Sequence, residues 1–435
     1  MLRQLRLLSL SFVLLFFAAC KKDPHEILFP SGSADFSRYI AVGNSLTAGY
    51  SSGGLYLEGQ KAAYPVILGS QMKTIGGGEF YAPYFPTTQA NGSGYLRLTG
   101  FGADGSPVIV PVTENLAIRG QANIPGYGPV TLYTKYKGEL NNYGVPGIRL
   151  DQINFAPLGN LNPYFERLLP LDAGENNTTY LDFVTAKPFT FFTCWLGNND
   201  ALSYATSGGA GEPLTEKGKF SSLYNLAINT LTKNNAKGVV ATIPDVTAIP
   251  YFSTVTVAKL LAAVKKANPA VNALYISALN TATGTYVPRA ATDEDLVRLE
   301  FNTGKLGTTI NGLPFYGLSP VNPLANSEVL DKAEVAKAKD YIEAYNATIK
   351  SVATAKGLAV MDAFDFLNKV KSGMIVNGIP VNSEFISGGI FSLDGVHLTP
   401  RGNALTANEY IKVINTTYHS RIPSVDISKY MGVLP

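Results

Sequence analysis

Apolar residues fall in five short runs along the chain, at Tyr39–Val42, Leu140–Tyr143, Phe189–Leu196, Val239–Ile243 and Leu358–Met361. The middle runs are apolar at consecutive positions, whereas a strand with one wetted face would alternate. Unbroken runs therefore predict strands of a parallel sheet with helices over both faces. Helical periods supply that cover. Lys219–Ala236 sets Phe220, Leu223, Ala227 and Leu231 on one face just before the fourth run. Across Asp331–Lys356, the residues Val335, Ala338, Ile342, Tyr345, Ile349 and Val352 step by alternating threes and fours. Asp331 and Glu334 have capping-box spacing, and Gly357 is a stop. Strand alternating with helix predicts an α/β domain of three layers, α/β/α.

Two segments break that rhythm. Residues 76–137 are rich in Gly, Pro, Tyr and Phe around short β-like runs such as Val108-Ile109-Val110. They predict an inserted β-rich subdomain or lid, because a loop of that length in a compact domain is functional or folds separately. Leaving the core between the first and second strands, the insert is rooted where such sheets bind ligands, and its aromatics serve either as its own core or as a recognition surface. Residues 251–326 form a second insertion, with one helix expected at Val257–Ala267 and turn-rich sequence after it.

The amino terminus adds a different signal. Arg3 and Arg6 precede an apolar run from Leu7 to Phe17, and Ala18-Ala19-Cys20 follows. This is the pattern of a signal peptide, residues 1–20, too short to span a membrane comfortably. Its end resembles a bacterial lipobox, in which Cys20 is acylated and becomes the first residue of the mature chain. Residues 21–34 are then a polar tether, 35–420 the folded domain and 421–435 a tail. The other cysteine, Cys194, sits in an apolar run and is expected to be a small buried hydrophobe.

Composition narrows the function classes. With 46% hydrophobic and 15% charged residues in 435, the chain can bury a large core. The formal charge is +3, about +1 without Arg3 and Arg6, and no clustered Lys/Arg stripe exists. Nucleic acid is not an expected partner.

Candidate chemistry lies at the strand ends. Gly43-Asn44-Ser45-Leu46 leaves the first run in a tight turn that exposes one hydroxyl where open α/β sheets hold ligands. Gly147 follows the second run and can offer a backbone N–H. Gly197-Asn198-Asn199-Asp200 closes the third. Asp394 and His397 stand three residues apart, a spacing that lets the carboxylate orient the imidazole and free its other nitrogen as a base. The other histidines, His25 in the tether and His419 after the last helix, are expected at the surface.

These four blocks, in this order, resemble those of the SGNH, or GDSL, hydrolase superfamily, over Arg38 to about Tyr418 apart from the insertions. The resemblance implies a flavodoxin-like fold with five parallel strands. It implies Ser45 as nucleophile, His397 as general base and Asp394 as its partner. Its oxyanion hole comprises the N–H groups of Ser45 and Gly147 and the amide of Asn199. The implied activity is hydrolysis of a carboxylic ester, of a lipid, an acetylated glycan or another alcohol, through an acyl-enzyme and without metal or organic cofactor. One departure stands out: the family usually has Asp where this chain has Asn44. An alternative is a catalytically weak lipoprotein of the same fold that binds glycan or lipid. On either reading the protein is held by its lipid anchor in the bacterial cell envelope, outside the cytoplasm.

Overall fold

A computed structural model describes residues 31–433. The five apolar runs become one parallel sheet of five strands: β1 Tyr39–Gly43, β2 Asn142–Gly144, β3 Phe191–Trp195, β4 Lys237–Ala241 and β5 Ala359–Met361. Their spatial order is 2-1-3-4-5, the doubly wound order whose switch point lies between β1 and β3. Every residue of β1 and β3 is buried, as the unbroken apolar runs require. Gly43 pairs with Gly144 on one side and Trp195 on the other, so three strand ends meet at one edge.

β2 starts two residues later than Leu140–Tyr143 predicts. Its polar pair binds neighbouring backbone with side chains instead: Asn141 Nδ2 donates to the Tyr39 carbonyl at 2.9 Å and Asn142 Nδ2 to that of Thr47 at 2.8 Å. The helices follow the periods closely. Lys332–Lys356 is capped by Asp331, whose reciprocal bonds with Glu334 close the expected capping box, and it ends at a left-handed Gly357. Lys217–Leu231 packs on it through Phe220 and Tyr345, stacked at 3.8 Å. Helices Tyr64–Lys73 and Pro400–Tyr418 meet through Tyr64 and Tyr410, stacked at 4.8 Å, and both rings abut Trp195 of β3.

Residues 76–137 form two separate hairpins, Tyr95–Phe101 with Pro107–Val112 and Ile118–Ile124 with Gly128–Tyr133. Their aromatics divide by position. Phe85 and Tyr133 are buried beside Ala48, Leu55 and Ala117, whereas Phe101 and Tyr127 are 61% and 62% exposed. A buried charge ties this region down. Glu166, with no exposed surface, meets Arg119 Nη2 at 2.9 Å and Lys135 Nζ at 2.5 Å. In the second insertion, helix Val257–Ala267 appears with the expected bounds, followed by a hairpin of Tyr275–Asn280 and Thr285–Ala290. Val257, Ile276, Phe301 and Leu324 belong to a separate buried cluster there. The tail packs rather than trails: Ile422 and Ile427 are buried, and the amides of Asn408 and Asn415 bond Val425 and Ile422. Among the described residues, no helix is long and apolar enough to cross a membrane.

Candidate active site

The turn after β1 depends on two glycines. A Cβ on Gly43 would lie 2.1 Å from Thr47 Oγ1, and one on Gly144 would lie 2.3 Å from the Ala48 nitrogen. With that room kept clear, the chain enters a one-turn helix, Ser45–Ala48, capped by Asn44 Oδ1 accepting from Leu46 N at 3.2 Å. Ser45 occupies the first helical position, where backbone N–H groups have no partner within the helix.

The loop between Phe391 and the helix Pro400–Tyr418 brings Asp394 and His397 to this serine. His397 Nε2 lies 2.8 Å from Ser45 Oγ, and His397 Nδ1 lies 2.9 Å from Asp394 Oδ2. A carboxylate on Nδ1 holds the proton there, leaving Nε2 to accept from the hydroxyl. Asp394 is further fixed by the N–H groups of Val396 (2.9 Å), His397 (2.8 Å) and Gly53 (2.7 Å) and by Ser392 Oγ (3.1 Å). Burial alone would raise its pKa. The facing His397 ring and these hydrogen bonds outweigh that and hold the carboxyl well below the usual range. Such a relay can take a proton from Ser45 and make it a nucleophile.

The turn at residues 51–54 contributes support that no motif announces. Ser52 N donates to Ser392 Oγ at 2.8 Å, and Ser51 Oγ donates to the Leu398 carbonyl at 3.0 Å, so this turn clamps the Asp394–His397 loop from the Ser45 side. Ser52 and Gly53 both have positive φ, 50° and 78°. Tyr50 lays its ring 4.7 Å from that of His397 and donates to the Gly53 carbonyl at 2.6 Å. Its hydroxyl pKa is pushed up to about 12 by burial and by the Asp394 charge, so it remains a donor. Tyr164 and Tyr133 continue this aromatic wall from the helix Pro163–Glu166 and the second hairpin. The only sequence signal for the clamp is the turn-forming string Ser51-Ser52-Gly53-Gly54.

Gly147 and Asn199 lie at the same sheet edge. Gly147 is exposed with φ 80°. Asn199 opens the helix Asn199–Thr206 and donates one amide proton to the Ile148 carbonyl at 2.9 Å, which ties it to the Gly147 loop and leaves a second proton free. The capping position belongs to its neighbour Asn198, whose side chain makes no cap bond. Asp200 anchors the same loop from below, accepting from Leu150 N at 2.7 Å and Thr215 Oγ1 at 2.6 Å.

Burial pushes the Asp200 carboxyl up to about 6, against the lowering effects of Thr215, Leu150 and Arg149. The folded chain thus binds this proton more tightly than the unfolded chain, whose carboxyl titrates near 3.8. The associated stability is complete below about pH 4 and is lost as pH rises to about 6, a change of order 3 kcal/mol. Asp200→Asn should flatten that slope. Urea midpoints measured from pH 4 to 7 check it, and an unchanged slope would assign the titration elsewhere.

A cavity of about 50 Å³ is lined by Leu46 and Val396, the sequence neighbours of Ser45 and His397, and by Leu398, Trp195, Ile249 and Asn198. Among the described residues, no group of three or more His, Cys, Asp or Glu side chains is arranged to hold a metal ion. His419 is exposed at the end of the last helix, as expected, and burial pushes the Cys194 thiol up to about 12. Cys20 and His25 lie outside the described residues.

No family model and no curated protein matches this sequence. Among solved structures, the chain is similar to LAE5, an alpha/beta hydrolase enzyme from the metagenome of Lake Arreo, Spain. The match covers 88% of this chain and 97% of that one at 9% identity, with a TM-score of 0.38, a likeness too distant to carry an argument about mechanism.

Proposed function

We propose that the protein is a serine hydrolase of the SGNH type that cleaves a carboxylic ester. The observation that carries this reading is the unbroken relay from Asp394 through His397 to Ser45, at 2.9 and 2.8 Å. The four sequence blocks and the 2-1-3-4-5 strand order support it. As Ser45 Oγ attacks the ester carbonyl carbon, Nε2 of His397 takes the hydroxyl proton. The carbonyl oxygen becomes an oxyanion, received by the N–H groups of Ser45 and Gly147 and the second amide proton of Asn199. His397 then gives its proton to the departing alkoxide, leaving an acyl-Ser45. Water, deprotonated by the same nitrogen, releases the acid and restores the serine.

A fluorophosphonate probe tests this directly: it should label the wild-type protein at Ser45 and leave Ser45→Ala unlabelled. Absence of labelling in both would remove the hydrolase reading.

One feature favours the alternative of a weak or inactive binding protein. Asn44 carries no charge, is 1% exposed, and leaves its Nδ2 without a protein partner. Its Oδ1 nevertheless keeps the cap on Leu46, which is the service a carboxylate would perform. Asn44→Asp should therefore change ester turnover only modestly. A gain of several orders of magnitude would move the binding reading ahead.

The lipid anchor belongs to the same proposal and rests on the Arg3/Arg6 flank, the apolar run and Ala19-Cys20. Cys20→Ser should shift the protein out of the membrane fraction or leave it unprocessed. An unchanged fractionation and an unchanged mass of the N-terminal peptide would rule out acylation there.

A further inference from the structure

Tyr50 stands just past the one-turn helix that opens at Ser45, and each part of it meets a different member of the relay. Its backbone N–H donates to the Ser45 carbonyl at 3.0 Å. Its ring lies against the His397 imidazole, with centroids 4.7 Å apart and planes tilted by 49°. Its hydroxyl donates to the Gly53 carbonyl at 2.6 Å, and the Gly53 N–H donates to Asp394 Oδ2 at 2.7 Å, the oxygen that also meets His397 Nδ1. The turn held in this way contains Ser52 at φ 50°, a conformation that a non-glycine residue keeps only where its surroundings impose it.

We infer that Tyr50 is a positioning residue of the proposed reaction: its ring holds the imidazole and stabilises the positive charge that His397 gains on taking the serine proton, while its hydroxyl fixes the turn that orients Asp394. This rests on the ester-hydrolase reading above. The face of an aromatic ring is negative, so a cation within about 6 Å of its centroid is attracted, more strongly where water is kept away. The His397 side chain is 13% exposed, so little water competes for that charge. A neutral imidazole gains nothing comparable, and the attraction therefore grows as the proton moves and favours the transition state over the bound ester. The titratable groups that face His397 are Asp394 on its own loop and Tyr50 from the Ser45 side, with Tyr164 and Tyr133 next in the same wall.

The test follows the rate of Ser45 labelling by a fluorophosphonate against pH, with purified full-length protein, and so needs no knowledge of the natural ester. Tyr50→Leu should label about 10- to 100-fold more slowly on the alkaline plateau. Its acid limb should also move down by about half a pH unit, because an imidazolium without the ring loses its proton more readily. Tyr50→Phe keeps the ring and loses the bond to Gly53. It should label about 2- to 10-fold more slowly with the limb where the wild type has it. Tyr50→Phe with a fully fluorinated ring keeps the shape but strips the negative face, and its limb should move down as in Tyr50→Leu. That variant decides the matter if Tyr50→Leu does not fold. A purely structural Tyr50 would lower the melting temperature, slow labelling only by the fraction unfolded and leave the limb unmoved in every variant. An unmoved limb in the fluorinated variant, or a Tyr50→Phe rate equal to the wild type's, overturns the inference while the wild type still labels at Ser45. A wild type that does not label overturns both readings together.

Discussion

Ser45→Ala, His397→Ala and the double variant are expected to lose turnover by a common factor, on the order of 10⁶, rather than by the product of two losses. The reason is the relay itself. On the proposed mechanism the serine has no nucleophilic strength until His397 takes its proton, and the histidine has no substrate to act on without the serine, so either change removes the whole device. Asp394→Asn should cost about 10⁴ by freeing the imidazole to adopt the wrong tautomer. Here the amide has a second effect. Oδ1 faces three donors and Oδ2 two, so an NH₂ group at either position confronts N–H or O–H groups with no acceptor. The variant should therefore also melt lower. Steady-state kinetics on one phenyl ester, with a folding check by circular dichroism, separates these effects. Multiplicative losses for the Ser45 and His397 changes would mean that the two side chains do not act as a unit.

Asn199→Ala is expected to lower kcat by about 10²–10³ with little change in KM, since an oxyanion donor is used in the transition state and not in the ground state. Its bond to Ile148 adds a complication, because alanine also releases the loop that carries Gly147. Asp200 still holds Leu150 of that loop, which limits the disturbance. Fluorophosphonate labelling should slow in parallel, because its charged phosphoryl oxygen occupies the same hole. A loss of less than about threefold in both measurements would leave Asn199 a loop tether only.

The sheet was legible because its strands are buried on both faces, and an apolar run has no other use at that length. The helix Lys332–Lys356 was equally open to reading, since Asp331, Glu334 and Gly357 announce its ends through local bonds. Ser45, Asp394 and His397 could be singled out because their motifs are local, although the contact that joins Ser45 to His397 is not. What escaped detection depends on distant pairings. The clamp from Ser52 and Gly53 and the Tyr50 ring acquire meaning only when residues about 340 apart meet, and no local period encodes that. The first insertion was read as one β unit and is two hairpins. Some of its aromatics are buried in a small cluster and others are exposed at the hairpin tips. Nor is it a detachable module, because removing Arg119 and Lys135 would strand the Glu166 charge, at about 3–5 kcal/mol.

The separation of Ser45 and His397 by 352 positions also bears on when the site comes into being. Closing so long a span carries an entropic cost that only late, cooperative packing repays, and contacts of high sequence separation are the slow ones to form. The Ser45 turn and the first strands are made early in the chain, while Asp394 and His397 arrive with the segment that docks Pro400–Tyr418 against Tyr64–Lys73. A chain stopped short of residue 394 can hold most of the helices and still be inert. During refolding, probe labelling of Ser45 should therefore lag the return of helical signal, and its onset times the docking of the carboxyl-terminal helix.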